Sequence, residues 1–164
     1  MVEQGHRITN QILRQETLPA DKDVAYQLNL NESDQVMVCE RLRLVDGKPV
    51  NLSIRYVPST LCPSLLDEER TNRSLYAYLE KTCGQPIVRG RRTIETQLPT
   101  AELADLLHIN TEQPVFKIVN TCILRDQTPI EHSIGYHRGD RTMFQVELRR
   151  GHDGDWDSSH RLIE

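Results

Sequence analysis

VMVCERLRLVDGKPVNLSIRYVP, residues 36–58, is the stretch from which the fold can be read. Val36–Val45 is rich in β-branched and apolar residues, Asp46-Gly47 is a turn signal, and Pro49–Val57 returns as a second strand. Strands that return through so short a connection are antiparallel. Alternation in the first strand puts Val36, Val38, Leu42 and Leu44 on one face and Met37, Cys39, Arg41 and Arg43 on the other.

The pattern occurs twice. DGKPVN at Asp46–Asn51 is answered by DQTPIE at Asp126–Glu131, and ETLP at Glu16–Pro19 by ETQLP at Glu95–Pro99. A short helical stretch follows each of the latter, AYQLNLN at Ala25–Asn31 and ADLLHIN at Ala104–Asn110. The offset, roughly 80 residues, is too long for a solenoid repeat and indicates two related halves. The first half reads as strand Arg7–Glu16, helix Pro19–Leu30, and strands Val36–Val45 and Pro49–Val57. The second reads as strand Ile87–Leu98, helix Thr100–Ile109, and strands Pro114–Leu124 and Thr128–Tyr136, with Thr142–Leu148 closing. Between them lie an irregular segment, Leu61–Arg70, and a helix capped by Asn72 that runs to Cys83. The expected fold is α+β: an antiparallel sheet with packed helices, an internal pseudo-repeat, and a cleft between the halves as a natural ligand site. GHDGDWDSSHRLIE, Gly151–Glu164, reads as a loose polar tail, so residues 1–150 form the domain and 151–164 a flexible extension.

Composition narrows the function classes. The chain has 164 residues, 37% hydrophobic and 27% charged, with net charge −4. This is one globular domain's worth of chain, and no apolar run approaches a bilayer span. MVEQGHRITN lacks the apolar core of a signal peptide, and the chain reads as cytoplasmic with no membrane contact. The acidic balance argues against DNA binding by phosphate neutralisation. The local basic run, Arg89, Arg91 and Arg92, reads as a solvated strand. Cys39, Cys62, Cys83 and Cys122 are not at metal-ligand or redox spacing and read as reduced, mostly buried thiols. No metal or cofactor is expected. There is no GxSxG, Walker A, GxGxxG or HExxH, and no nucleophile–base–orienter set, so no catalytic residue is expected.

Arg41 and Arg43 share a strand face, and two adjacent guanidinium groups suit a carboxylate or phosphate. The alternatives are two exposed arginines, or arginines paired with acids of the fold. Ser53 on the return strand joins them only in one register. A three-residue loop Asp46–Lys48 pairs Arg41 with Ser53 and Arg43 with Asn51, whereas a two-residue loop turns Ser53 to the other face. Ser74 in the first turn of the Asn72–Cys83 helix is either an anion-binding hydroxyl or a plain cap. Glu131 and His137 share a strand face. With His132 they suggest acid–base chemistry, against which stands a polar strand face.

Glu40–Pro58, Ser74–Gly84, Leu98–Ile109 and Pro114–Phe144 together resemble the UTRA domain of HutC-like GntR transcription regulators. The carrying series is R-x-R-x-x-x-D-G-x-P, then Y-x-P, S-L-Y, and E-H-S with R-G-D-R. The resemblance, from Arg7 to Leu148, implies a chorismate-lyase-like fold, a homodimer, and a small-molecule effector, sugar phosphate or organic acid, that alters DNA binding through a winged-helix domain. It implies phosphate contacts at Arg41, Arg43 and Ser74, and effector contacts at Glu131. The return-strand acid of amino-sugar sensors falls at Ser53, and their tyrosine before R-G-D falls at His137; these departures weaken the case for an amino-sugar phosphate, while Arg41, Arg43 and Ser74 keep the implied anionic end of the effector. The family's winged helix is not seen before Arg7, the pattern expected of an excised effector domain. A lyase-type enzyme on the same fold and a ligand-free dimerisation domain are the alternative readings.

Overall fold

A computed structural model describes residues 6–61, 76, 84, 86–150 and 156–163. The first half is β1 (Ile8–Pro19), α1 (Lys22–Leu28), β2 (Gln35–Val45) and β3 (Lys48–Pro58). The second is β4 (Ile87–Gln97), α2 (Ala101–Leu107), β5 (Val115–Leu124) and β6 (Pro129–Arg138). A 3₁₀ turn, Gly139–Arg141, leads into β7 (Met143–Arg150), which pairs with β8 (Trp156–Ile163). The large sheet runs β1-β2-β3-β6-β5-β4, and every neighbour is antiparallel. The halves therefore meet at β3 and β6, and the pseudo-twofold passes between these two strands.

The halves also match in detail. The Asp21 side chain accepts a hydrogen bond from Val24 N–H, and the Thr100 hydroxyl accepts one from Leu103 N–H. Both helices end on a left-handed residue, Asn29 (φ 54°) and His108 (φ 53°). Such end groups satisfy backbone atoms that a short helix leaves without partners. They also correct the expected helix Pro19–Leu30. Pro19 still pairs with Gln35 at the end of β1, and the extended N-cap at Asp21 delays the helix to Lys22.

The β2–β3 hairpin resolves the register left open by the sequence. Its turn is the two-residue one: Asp46 (φ 51°) and Gly47 (φ 77°) are both left-handed, and Val45 faces Lys48. Positive φ at both positions matches the right-handed twist of the strands. One residue, Val50, is then extra: Leu44 faces Pro49 but Arg43 faces Asn51. This bulge restores the pairing Arg41 with Ser53. The second hairpin has the same device at Ile130, where Ile123 faces Pro129 but Cys122 faces Glu131. Asn51 and Glu131 are thus equivalent residues, each just after a bulge.

One sheet face is covered by the helices. Val36 and Val38 pack with α1, and Leu42, Leu52 and Val115 with α2. The opposite face holds an apolar cluster of Met37, Cys39, Val57, Cys122, Leu124 and Ile130. Each fully buried Val, Leu or Ile side chain contributes roughly 1.5–3 kcal/mol. The faces of β2 divide as alternation predicts. Phe116 meets Phe144 edge-on, with ring centroids 5.0 Å apart, and joins β7 to the large sheet. The expected loose tail differs from the structure over 156–163, where β8 pairs along β7. A two-stranded ladder is held by main-chain hydrogen bonds, to which polar composition is a poor guide. No helix among the described residues is long and apolar enough to cross a membrane.

His132 lies on the helix-covered face, apart from Glu131 and His137, because alternation turns it over. It stacks on Tyr56 and shares a 3.2 Å hydrogen bond with Thr121 Oγ1. The expected grouping of His132 with Glu131 and His137 is thereby corrected. Burial, reinforced by Arg91 and opposed by Glu131, lowers the His132 pKa. The unfolded chain, with a histidine pKa near ~6.5, then binds more protons than the folded one below that pH. This contribution to stability is fully present above pH ~6.5. It is lost as pH falls from there toward the folded value, by at most about 1.4 kcal/mol per pH unit. Urea melts between pH 7.5 and 5 are expected to show a shallower decline for His132→Asn than for the wild type. Identical slopes would exclude His132 as a source of the pH dependence.

Candidate functional site

On the face opposite the helices, the register lays side chains in three rows across the central strands. The middle row is Arg41, Ser53, Gly135 and Ile118 on β2, β3, β6 and β5. On one side of it run Arg43, Asn51, His137 and Phe116. On the other run Cys39, Arg55, Ser133, Asn120 and Arg92, the last from β4. The middle row is low because it contains Ser53 and Gly135. A pocket of about 220 Å³ lies over it, lined among others by Arg41, Arg43, Asn51, Ser53, Arg55, Arg92, Asn120 and His137. A Cβ on Gly135 would stand 3.0 Å from His137 Nε2, so a side chain there would press on the pocket wall.

Of the residues picked out in the sequence, Arg41, Arg43, Ser53 and His137 come together in this pocket. The Ser53 hydroxyl donates to the Arg41 carbonyl over 3.3 Å and keeps its acceptor lone pairs. Ser74 lies outside the described residues, as do Cys62 and Cys83. Glu131 is on the same strand face but sits beyond the lining, fully buried (0% exposed), with Oε1 2.5 Å from Arg55 Nε. Asn51, Arg55, Arg92, Asn120 and Tyr76 also line the pocket and were not singled out from the sequence as ligand contacts. Only Arg92 carried a signal, as part of the basic run; the others needed strand pairing to be found.

The electrostatics favour an anion. Arg41, Arg43, Arg55 and Arg92 line the pocket, and Glu131 behind it is the acid that meets Arg55. Burial, then Arg55 and Arg43, draws the Arg41 pKa below its usual value, although a guanidinium stays charged at any ordinary pH. Burial first, and the Glu131 charge next, push the Tyr76 hydroxyl and the Cys122 thiol upward. Cys122 Sγ donates to Tyr76 Oη over 3.3 Å and accepts from Asn120 Nδ2 over 3.2 Å. Burial likewise raises the Cys39 thiol, so neither buried cysteine is an activated nucleophile. Among the described residues no cluster of three or more His, Cys, Asp or Glu is placed to hold a metal.

The family model described as the UTRA domain matches residues 3–143. The chain belongs to the UTRA family. Among curated proteins, this UTRA domain is 29% identical over 126 residues to the HTH-type transcriptional regulator GgaR of Escherichia coli K12, covering 77% of this chain and 49% of that protein. It is 32% identical over 131 residues to the HTH-type transcriptional repressor PhnF of Mycolicibacterium smegmatis, covering 80% and 53%. The chain thus spans about half the length of the curated relatives it matches. Among solved structures, it resembles the effector domain of PhnF from Mycobacterium smegmatis with a TM-score of 0.82 and 28% identity, over 90% of this chain and 91% of that one. The relatives are transcriptional regulators rather than enzymes, and the fold is the α+β, chorismate-lyase-like fold expected. UTRA domains of GntR-family regulators bind small effectors, which is the role the domain carries here.

Proposed function

We propose that this UTRA domain senses a small anionic metabolite, a sugar phosphate or an organic acid, and controls DNA binding by a winged-helix partner domain in a cytoplasmic homodimer. Residues 1–150 are the sensing unit. Arg41, Arg43 and Ser74 hold the anionic group, while Ser53, Glu131 and His137 read the remainder, Glu131 through the arginine it pairs with. The observation that carries this reading is the concentration of arginine over a low floor that spans both halves of the sheet. The floor crosses the β3–β6 junction, so a ligand bound there bears on the relative position of the halves. An effector with higher affinity for one arrangement shifts the population by that difference in affinity and by nothing else. An edge strand, β1 or β4, offers backbone groups for the dimer contact.

A thermal-shift screen against phosphorylated sugars, organic acids and amino acids tests the reading. A ligand that binds only the folded state stabilises by roughly 2.7 kcal/mol at a hundredfold excess over its dissociation constant. The expected result is a hit whose shift disappears in Arg41→Ala/Arg43→Ala while the variant's own melting stays cooperative. A shift of equal size in the double variant would refute the assignment.

A further inference from the structure

The cations of the pocket are not gathered at one end. Arg43 stands in the row of Asn51 and His137, while Arg55 and Arg92 stand in the row of Ser133 and Asn120. Along β3 and β6 these rows are four residues apart (51 to 55, 133 to 137), or about 13 Å at 3.3 Å per residue. Arg43 on β2 and Arg92 on β4 are also four strands apart, roughly 19 Å at ~4.8 Å per strand, so the two long side chains reach over the floor from opposite sides. Between them is the low floor at Ser53 and Gly135. The second wall holds more positive charge than the described residues neutralise. Glu131 is fully buried and takes Arg55. Arg92 is exposed toward the pocket and has no acidic partner among the described residues. The nearest acid on its own strand, Glu95, is an odd number of residues away, faces across to Lys117, and pairs with Lys117 Nζ at 3.0 Å. Asn120, opposite Arg92, adds an amide to the same wall.

We infer that the effector is two-ended: a small metabolite with one anionic group at Arg43 and the adjoining Arg41 of the middle row, and a second, carboxylate or phosphate, on the Arg92/Asn120 wall. The inference rests on the anion-sensing role proposed above and specifies the class of ligand. A single anion engages one wall and leaves the other's guanidinium to solvent. A ligand charged at both ends gains a second charge-assisted contact in a partly desolvated site.

Fructose 6-phosphate and fructose 1,6-bisphosphate provide a matched pair long enough to reach both walls, since they share the hexose and one phosphate and differ in a hydroxyl against a second phosphate at the other end. Titration calorimetry on the chain is expected to show fructose 1,6-bisphosphate binding at least tenfold more tightly. Arg92→Gln should reduce that ratio to within twofold through the bisphosphate, with a far smaller effect on fructose 6-phosphate. Arg91→Gln removes the same charge from the opposite sheet face, where Arg91 Nη2 donates to Gln27 Oε1 over 3.0 Å, and should leave the ratio intact. Equal affinity for the two probes, or a ratio indifferent to Arg92→Gln, overturns the two-ended ligand while the sensing role stands. Failure of both probes to bind at millimolar concentration overturns the two-ended ligand, and the sensing role falls with it only when the thermal-shift screen also gives no hit.

Discussion

Arg55→Met is expected to destabilise this domain by about 3–5 kcal/mol, the largest single effect anticipated in the chain. Glu131 has no exposed surface, and the Arg55 guanidinium is the cation that meets it. Methionine keeps most of the volume and deletes the charge, leaving the buried carboxylate with the Arg41 charge and the Tyr76 and Cys122 side chains but without its ion-pair partner. The expected loss is a large share of the ~5–15 kcal/mol typical of a whole domain. Removing both charges is a different matter, since a neutral buried pair carries no uncompensated ion. Arg55→Met/Glu131→Gln should therefore recover more than half of the loss. Urea midpoints at constant m-value measure all three. A loss under about 1 kcal/mol in Arg55→Met would mean that the ion pair does not sustain Glu131.

Arg138→Met is expected to cost about 3 kcal/mol through backbone groups rather than through a buried charge. Arg138 Nη1 donates to the Pro49 and Leu107 carbonyls, both at 3.3 Å, while Nε and Nη2 hold the Asp140 carboxylate at 3.0 and 2.7 Å. One side chain thereby ties the end of β6 to the start of β3 and to the last turn of α2. Leu107 O is a helix-terminal carbonyl, where a cation also complements the helix dipole. Each carbonyl left without its donor costs roughly 1–3 kcal/mol, whereas the contact to half-exposed Asp140 is worth less. Arg138→Lys should recover less than half, because an ammonium cannot reproduce the fork. The adjacent Gly139 is under its own constraint: a Cβ there would approach the Pro114 carbonyl oxygen to 2.7 Å. A near-neutral Arg138→Met in the same urea assay would show that R-G-D-R does not lock the two halves.

Both residues lie in stretches whose motif was visible in the sequence and whose role was not. Arg138 belongs to R-G-D-R, and Arg55 lies between Ser53 and Pro58 with nothing local to mark it. The partner of Arg55 is 76 residues further on, brought near only because β3 and β6 are neighbours at the centre of the sheet. The same applies to Arg92, which reads as one cation of a solvated run until Asn120 is placed opposite it.

The amino-acid sequence by itself determined the two halves, the antiparallel hairpins, the division of β2 into an apolar and an arginine-bearing face, and the family. These follow from short-range physics: period-two alternation, turn chemistry at Asp46-Gly47, and a repeat that can be counted. Only the tertiary structure decided that Ser53 joins Arg41 and that Glu131 withdraws from the pocket to meet Arg55. Each of these depends on a register, and a single bulge residue, Val50 or Ile130, changes which side chains share a face. Whether a bulge forms is set by the packing of both faces at once, and that is a property of the folded sheet, not of either hairpin alone.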